Sequence, residues 1–198
     1  MTALTAEERA ALIAGPLADL PDPAEVRESR RVYEGRVWDI RRDAFVFGGD
    51  VIERDYVDHS GAVAVLAIDD DSRVLLINQY RHPIRTRDWE LPAGLLDVPG
   101  EPPLAAAQRE LAEEADLVAE HWRELITFAS SPGGSDETIV IYEARGLSAA
   151  PEVFARTEEE AELVLRWVPL GEVVEAALAG RLRNSILLVA ALAAHARG

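Results

Sequence analysis

The chain has 198 residues, 48% of them hydrophobic and 28% charged, which is enough for one full domain with its own core and a small appendage. A net charge of −16 argues against nonspecific binding to nucleic acid or to a membrane surface, and a phosphorylated substrate would need local positive charge or a metal to offset that field. Cysteine is absent, which removes disulfides and thiolate metal sites, so any metal must be held by oxygen or by the four histidines.

In chain order, residues 1–28 read as a helical appendage. Thr5-Ala-Glu-Glu has capping-box spacing and opens a short Ala/Leu-rich helix, which Gly15-Pro16 and Pro21-Asp-Pro23 stop. The opening residues lack a basic start and a long apolar core, and no apolar run approaches the ~20 residues of a membrane span, so a soluble, cytoplasmic protein is expected. Residues 29–58 change to period two. Arg31–Glu34 and Val37–Arg41 alternate, and Ala44–Phe47, Gly48-Gly49-Asp50 and Val51–Val57 read as a hairpin. This is a β subdomain with exposed aromatics, suited to packing on a second surface.

Residues 59–198 form the main domain. Gly61–Ile68 is a nearly continuous apolar run, expected as a buried strand, with Asp69–Arg73 as a turn and Val74–Tyr80 pairing back on it. Arg81–Arg87 is a basic loop and Trp89–Gly94 a short strand. A helix follows from Leu104, then strands over Trp122–Ala129 and Thr138–Glu143 joined by the turn-rich loop Ser130–Glu137. Pro151–Glu162 is a polar loop, Leu163–Val168 the last strand, and Pro169–Ala179 and Asn184–His195 are helices broken at Gly180. Helices interrupting many short strands argue an α+β fold.

The helix after Leu104 carries Glu110, Glu113 and Glu114 at i, i+3 and i+4, with Arg109 just before them. At ~100° per residue, Leu104, Ala107, Leu111, Ala115 and Val118 make one apolar stripe. Glu114 lies roughly 60° from its centre, Glu110 roughly 100° and Glu113 roughly 160°, which puts the first two on a shoulder of the buried face. Carboxylates at a core edge need a cation, and three crowded like charges repel. Mg²⁺ or Mn²⁺ would offset that repulsion, and Arg109 could supply part of it. The same pattern taken alone also describes a solvated helix face.

Gly94, Glu101, Arg109-Glu110-Leu111, Glu113-Glu114 and Leu117 resemble the Nudix box, the Gly…Glu…Arg-Glu-aliphatic-x-Glu-Glu-x-Gly-aliphatic signature of enzymes that hydrolyse nucleoside diphosphates linked to another group. Six residues separate Gly94 from Glu101 where five are usual, so Val98 reads as a loop insertion, similar to that in actinobacterial members. Asp116 stands where glycine is usual, and because aspartate tolerates left-handed backbone better than most residues the helix end is expected to survive. Trp89-Glu-Leu-Pro-Ala-Gly-Leu-Leu-Asp and Pro132 are similar to the ADP-ribose pyrophosphatase branch.

The resemblance implies a Nudix fold, an α/β/α sandwich with a mixed sheet, preceded by an N-terminal antiparallel subdomain that exchanges strands in a homodimer. It implies Mg²⁺ or Mn²⁺, two or more ions, held by Glu110, Glu113, Glu114 and the Ala93 carbonyl, with Arg109 orienting the glutamates. It implies a catalytic glutamate in the acidic run before the last strand, best matched by Glu160 with Glu162 as the alternative register. Arg81 matches a nucleotide contact, Glu90 a polar contact near the phosphates and Glu137 one near the terminal ribose. Gly134 lies in a Gly-Gly pair that permits close backbone approach to a ligand. Trp38 is either a platform for adenine or a packing residue, and Arg81 either a ligand contact or a cation in a salt bridge. The implied substrate is ADP-ribose, with another nucleoside diphosphate sugar or dinucleotide as the alternative, and a catalytically silent ligand sensor as a further one.

Overall fold

The computed structural model describes residues 5–151 and 163–198. Their contacts divide them into two units, residues up to 59 together with 131–136, and residues 60–130 together with 137–198.

In the first unit, α1 (Ala6–Ala14) starts at the capping box read from Thr5-Ala-Glu-Glu. The Thr5 side chain accepts from the Glu8 N–H at 3.2 Å while the Thr5 N–H donates to the Glu8 carboxylate at 2.7 Å. Three antiparallel strands follow in the order β1-β2-β3: β1 (Val26–Tyr33), β2 (Asp39–Phe47) and β3 (Asp50–Asp58). β1 begins before Ser29, where the alternation becomes visible in the sequence. The β2–β3 turn is Gly48-Gly49 with φ of 64° and 95°, the two-residue geometry that matches strand twist and that a side chain would oppose. Arg42 and Asp55 face each other across β2 and β3 and share two hydrogen bonds, one of them 2.7 Å long.

The second unit is built on β4 (Ala62–Ala67), apolar and buried at every position. A strand apolar on both faces needs a core on each side. Ala62, Ala64 and Leu66 enter one core with residues of α3 (Leu170–Leu178) and α4 (Ser185–Arg197), while Val63, Val65 and Ala67 enter a second core with residues of α2 (Pro103–Ala115). The period-two split of one strand thus generates helix–sheet–helix layering. The four-stranded sheet runs β7-β4-β9-β8, with β7 (Ala93–Leu95), β8 (Leu117–Ala129) and β9 (Thr138–Ala149). β4 pairs with β9 in parallel and with β7 antiparallel, so the sheet is mixed. A three-stranded antiparallel sheet runs β10-β5-β6, with β5 (Arg73–Arg81), β6 (Thr86–Glu90) and β10 (Val164–Pro169).

Two expectations are corrected. The segment after the Asp69–Arg73 turn does not pair back on β4; apart from one bridge between Ile68 and Val74, β4 and β5 lie in different sheets. The reason is that β7 and β9 already occupy both edges of β4. Trp89–Gly94 is not one strand: it holds the end of β6 and the start of β7, which belong to different sheets, with buried Leu91-Pro92 between them. Among the described residues, no helix is long and apolar enough to cross a membrane.

Candidate active site

Helix α2 places the box residues. Pro103 opens it, where the missing N–H is no loss, and Asp116 closes it in the left-handed region (φ 55°, ψ 35°) with its N–H on the Ala112 carbonyl at 3.0 Å. Aspartate therefore does there what glycine usually does, as the sequence anticipated. The inserted Val98 sits exposed in a turn closed by the Glu101 N–H on the Val98 carbonyl at 3.1 Å.

The buried face of α2 differs from the expected stripe. Leu104 is exposed and Val118 lies in β8, while Ala106, Ala107, Glu110, Leu111, Glu114 and Ala115 are buried. Glu110 and Glu114 are 9% and 5% exposed, so they belong to the covered face rather than to its shoulder. Ala106 and Ala107 are fully buried in the core shared with Val63, Val65 and Leu75, so this face of α2 lies against the sheet.

Strand β7 receives the two glutamates. A Cβ built on Gly94 in β7 would fall 2.0 Å from the Glu110 Cδ, so any side chain at this position would displace the Glu110 carboxylate. The Glu114 carboxylate accepts from the Ala93 N–H at 2.9 Å. Arg109 Nη1 donates to Glu110 at 2.6 Å and to Glu113 at 3.1 Å, and its Nε and Nη2 reach Glu101 at 3.2 and 3.0 Å. These bonds raise the Arg109 guanidinium above its ordinary value, Glu101 foremost, and the Arg109 bond holds the Glu101 carboxyl below its own. Glu101 is the partner that sequence reasoning left without a role; its place in the box was the signal.

The donor set is all oxygen, three carboxylates and the Ala93 backbone, which suits a hard divalent cation. The close approach of Gly94 to Glu110 also keeps that corner free of a side chain. Among the described residues, no three Asp, Glu or His side chains are gathered into a cage. Glu110 and Glu113 lean on Arg109, and Glu114 on the Ala93 N–H, so the donor set fits the ion by its chemistry, with its carboxylates engaged in internal hydrogen bonds.

The other predicted residues divide between the units. In the second, Arg81 forms a bidentate pair with Glu90, Nε at 2.8 Å and Nη2 at 2.6 Å, and Glu90 is only 2% exposed. Two residues read as separate contacts are thus one pair across β5 and β6. Glu137 accepts a short hydrogen bond from the Ser130 hydroxyl. In the first, Trp38 stacks on His59 with centroids 4.0 Å apart, and the Gly134 carbonyl accepts from the Val57 N–H at 2.9 Å. Glu160 and Glu162 lie outside the described residues.

The NUDIX domain matches residues 58–189. The chain is 42% identical over 173 residues to the ADP-ribose pyrophosphatase of Mycobacterium tuberculosis, covering 87% of this chain and 83% of that protein. It is 38% identical over 134 residues to a methanol dehydrogenase activator of Bacillus methanolicus, covering 67% and 72%. A solved ADP compounds hydrolase superposes with a TM-score of 0.74 at 19% identity, over 91% of this chain and 96% of that one, which speaks for the fold. With the box glutamates, their glycine and their arginine assembled on α2 and β7, and the match running over two thirds of its length, this chain belongs to the Nudix hydrolase family.

Proposed function

We propose that this protein is a divalent-metal-dependent pyrophosphatase that hydrolyses ADP-ribose to AMP and ribose 5-phosphate. The observation that carries the reaction class is the clamp in which Glu110 lies against Gly94 and Glu114 accepts from the Ala93 N–H of β7, while Arg109 holds Glu110 and Glu113. Likeness to the mycobacterial enzyme supports the substrate.

In this reading Glu110, Glu113 and Glu114, with the Ala93 carbonyl, hold two or more Mg²⁺ or Mn²⁺ ions. Bound there, such ions supply charge neutralisation at the pyrophosphate and acidify attacking water. Arg109 holds Glu110 and Glu113 against mutual repulsion, and Glu101 fixes the orientation of Arg109. Arg81 contributes local positive charge to an acidic chain, and Glu90 fixes the direction of its guanidinium. Glu160 takes the proton from water, with Glu162 as the alternative. Water adds to one phosphorus, the bridging P–O bond breaks, and the two monophosphates leave. General-base help of this kind is worth about 10²–10⁴-fold. Trp38 is assigned to the adenine base, Glu137 to the terminal ribose and Gly134 to backbone contact with the substrate. The functional species is a homodimer, which sedimentation tests directly.

The decisive experiment incubates the purified chain with ADP-ribose and Mg²⁺ and separates the products. AMP and ribose 5-phosphate, abolished by chelation, are expected. A substrate panel in which a nucleoside diphosphate hexose or a dinucleotide turns over faster than ADP-ribose would overturn the substrate. Inertness towards all of them would overturn the enzyme.

A further inference from the structure

The sheet β10-β5-β6 has two faces. Trp89 stands opposite Asn78 and Glu90 opposite Ile77, so these neighbours on β6 point to opposite sides. Leu76, Trp89, Val168 and Val173 belong to the core beside α3 and α4, whereas Leu75 and Trp167 belong to the one beside α2. On the α3 side lies a cavity of about 250 Å³. It is on the side of the sheet away from Glu90 and the glutamate helix.

The floor is apolar and covered, formed by Leu76, Val168 and Val173. The mouth carries Trp89, Arg166, Glu172 and Arg181. The Arg166 guanidinium stands 6.0 Å over the centre of the Trp89 ring. Its Nη2 is 3.4 Å from Glu172, and the Nη2 of Arg181 is 3.3 Å from Glu175. All four partners are more than half exposed, so these ion pairs contribute little and release their guanidiniums readily.

Two weakly engaged arginines above an indole and an aliphatic floor form a composite recognition surface in a chain of net charge −16. Guanidiniums select planar or tetrahedral oxyanions by paired hydrogen bonds. Indole and aliphatic walls select a flat apolar body. The volume is below the roughly 300–1,000 Å³ of drug-sized sites, so the occupant is small. We infer that this cavity is a second ligand site, separate from the pyrophosphate clamp, for a small aromatic carboxylate or aromatic phosphate. The oxyanion lies at Arg166 and Arg181, and the ring lies on Trp89.

The test is ligand-observed NMR on the full chain with three probes: indole-3-acetate, phenyl phosphate and the neutral indole-3-acetamide. At least one of the two anions should saturate below about 10 mM and bind about tenfold more tightly than the amide; which of them does so identifies the oxyanion. The double variant Arg166→Gln with Arg181→Gln, folded by its thermal melt, should lose about tenfold in that affinity. Glu114→Gln should leave it unchanged. The proposal is overturned by any of four results: no saturation, equal binding of amide and anion to the wild-type chain, no effect of the double variant, or loss of binding in Glu114→Gln. The amide comparison needs no variant and decides the matter if the double variant fails to fold.

Discussion

Gly94 and Glu110 occupy one another's space: the Cβ that glycine lacks would lie 2.0 Å from both the Cδ and Oε1 of Glu110. The obstruction falls on the far end of a flexible side chain, so the fold can yield while the carboxylate moves. Gly94→Ala should therefore cost only about 1 kcal/mol in stability, yet lower kcat about 10²-fold because a candidate metal ligand is displaced. Thermal melts beside steady-state kinetics separate the two effects. Wild-type activity in this variant would show that the position of Glu110 does not matter.

Glu114 gives the complementary case. Glutamine keeps an oxygen that can accept from the Ala93 N–H, so Glu114→Gln should fold normally. It loses the charge, and activity should fall at least about 10²-fold. Calorimetric titration with Mn²⁺ should show weakened binding. Full turnover with Mg²⁺ would remove Glu114 from the ion site.

Arg109 holds Glu101, Glu110 and Glu113 through hydrogen bonds from three of its nitrogens. Lysine keeps the charge and loses the fork. Arg109→Lys should thus cost about 1–3 kcal/mol and reduce kcat at least about tenfold. Denaturant melts and kinetics of Arg109→Lys beside Arg109→Ala provide the measurement; indistinguishable wild-type and lysine enzymes would mean that charge alone suffices.

Away from the site, buried Glu143 accepts from Arg123 at 2.8 Å and from Arg145 at 2.7 Å. Burial acts to raise its carboxyl, but the two arginines outweigh this and hold it below its ordinary value of 4.5. A carboxylate depressed in the folded state stabilises the protein above its unfolded value, and that contribution disappears as pH falls through the folded one. Glu143→Gln should be less stable than wild type by about 1–2 kcal/mol at pH 7, and the gap should start to narrow as pH falls below 4.5 and vanish once pH passes below the depressed folded value. Melting temperatures of both proteins across this range test the assignment; a gap that persists at low pH would refute it.

Much of the site was readable because its geometry is local. Helical spacing alone brought Glu110, Glu113 and Glu114 within reach of a common cation with Arg109 just before them, and the structure puts Glu110 and Glu113 on that arginine. Turn chemistry placed the Gly48-Gly49 hairpin, and the tolerance of aspartate for left-handed backbone accounted for Asp116. Glu160 and Glu162 fall among residues the structure does not describe, so their roles rest on sequence resemblance.

Other relationships join segments far apart in the chain. Periodicity ranked Glu110 and Glu114 nearer the buried face than Glu113, but how fully they are covered depended on the packing of α2, with buried Ala106 and Ala107, against the sheet. Pairing of Arg81 with Glu90 required β5 and β6 in register, and the separation of β4 from β5 required β7 and β9 to compete for the edges of β4. Residue order thus specified helices, caps, turns and the chemistry of the donor set, through interactions spanning only a few residues. Tertiary packing decided how deeply Glu110 and Glu114 are covered, that Arg81 pairs with Glu90 and where the cavity beside α3 opens, because those outcomes depend on contacts between distant segments.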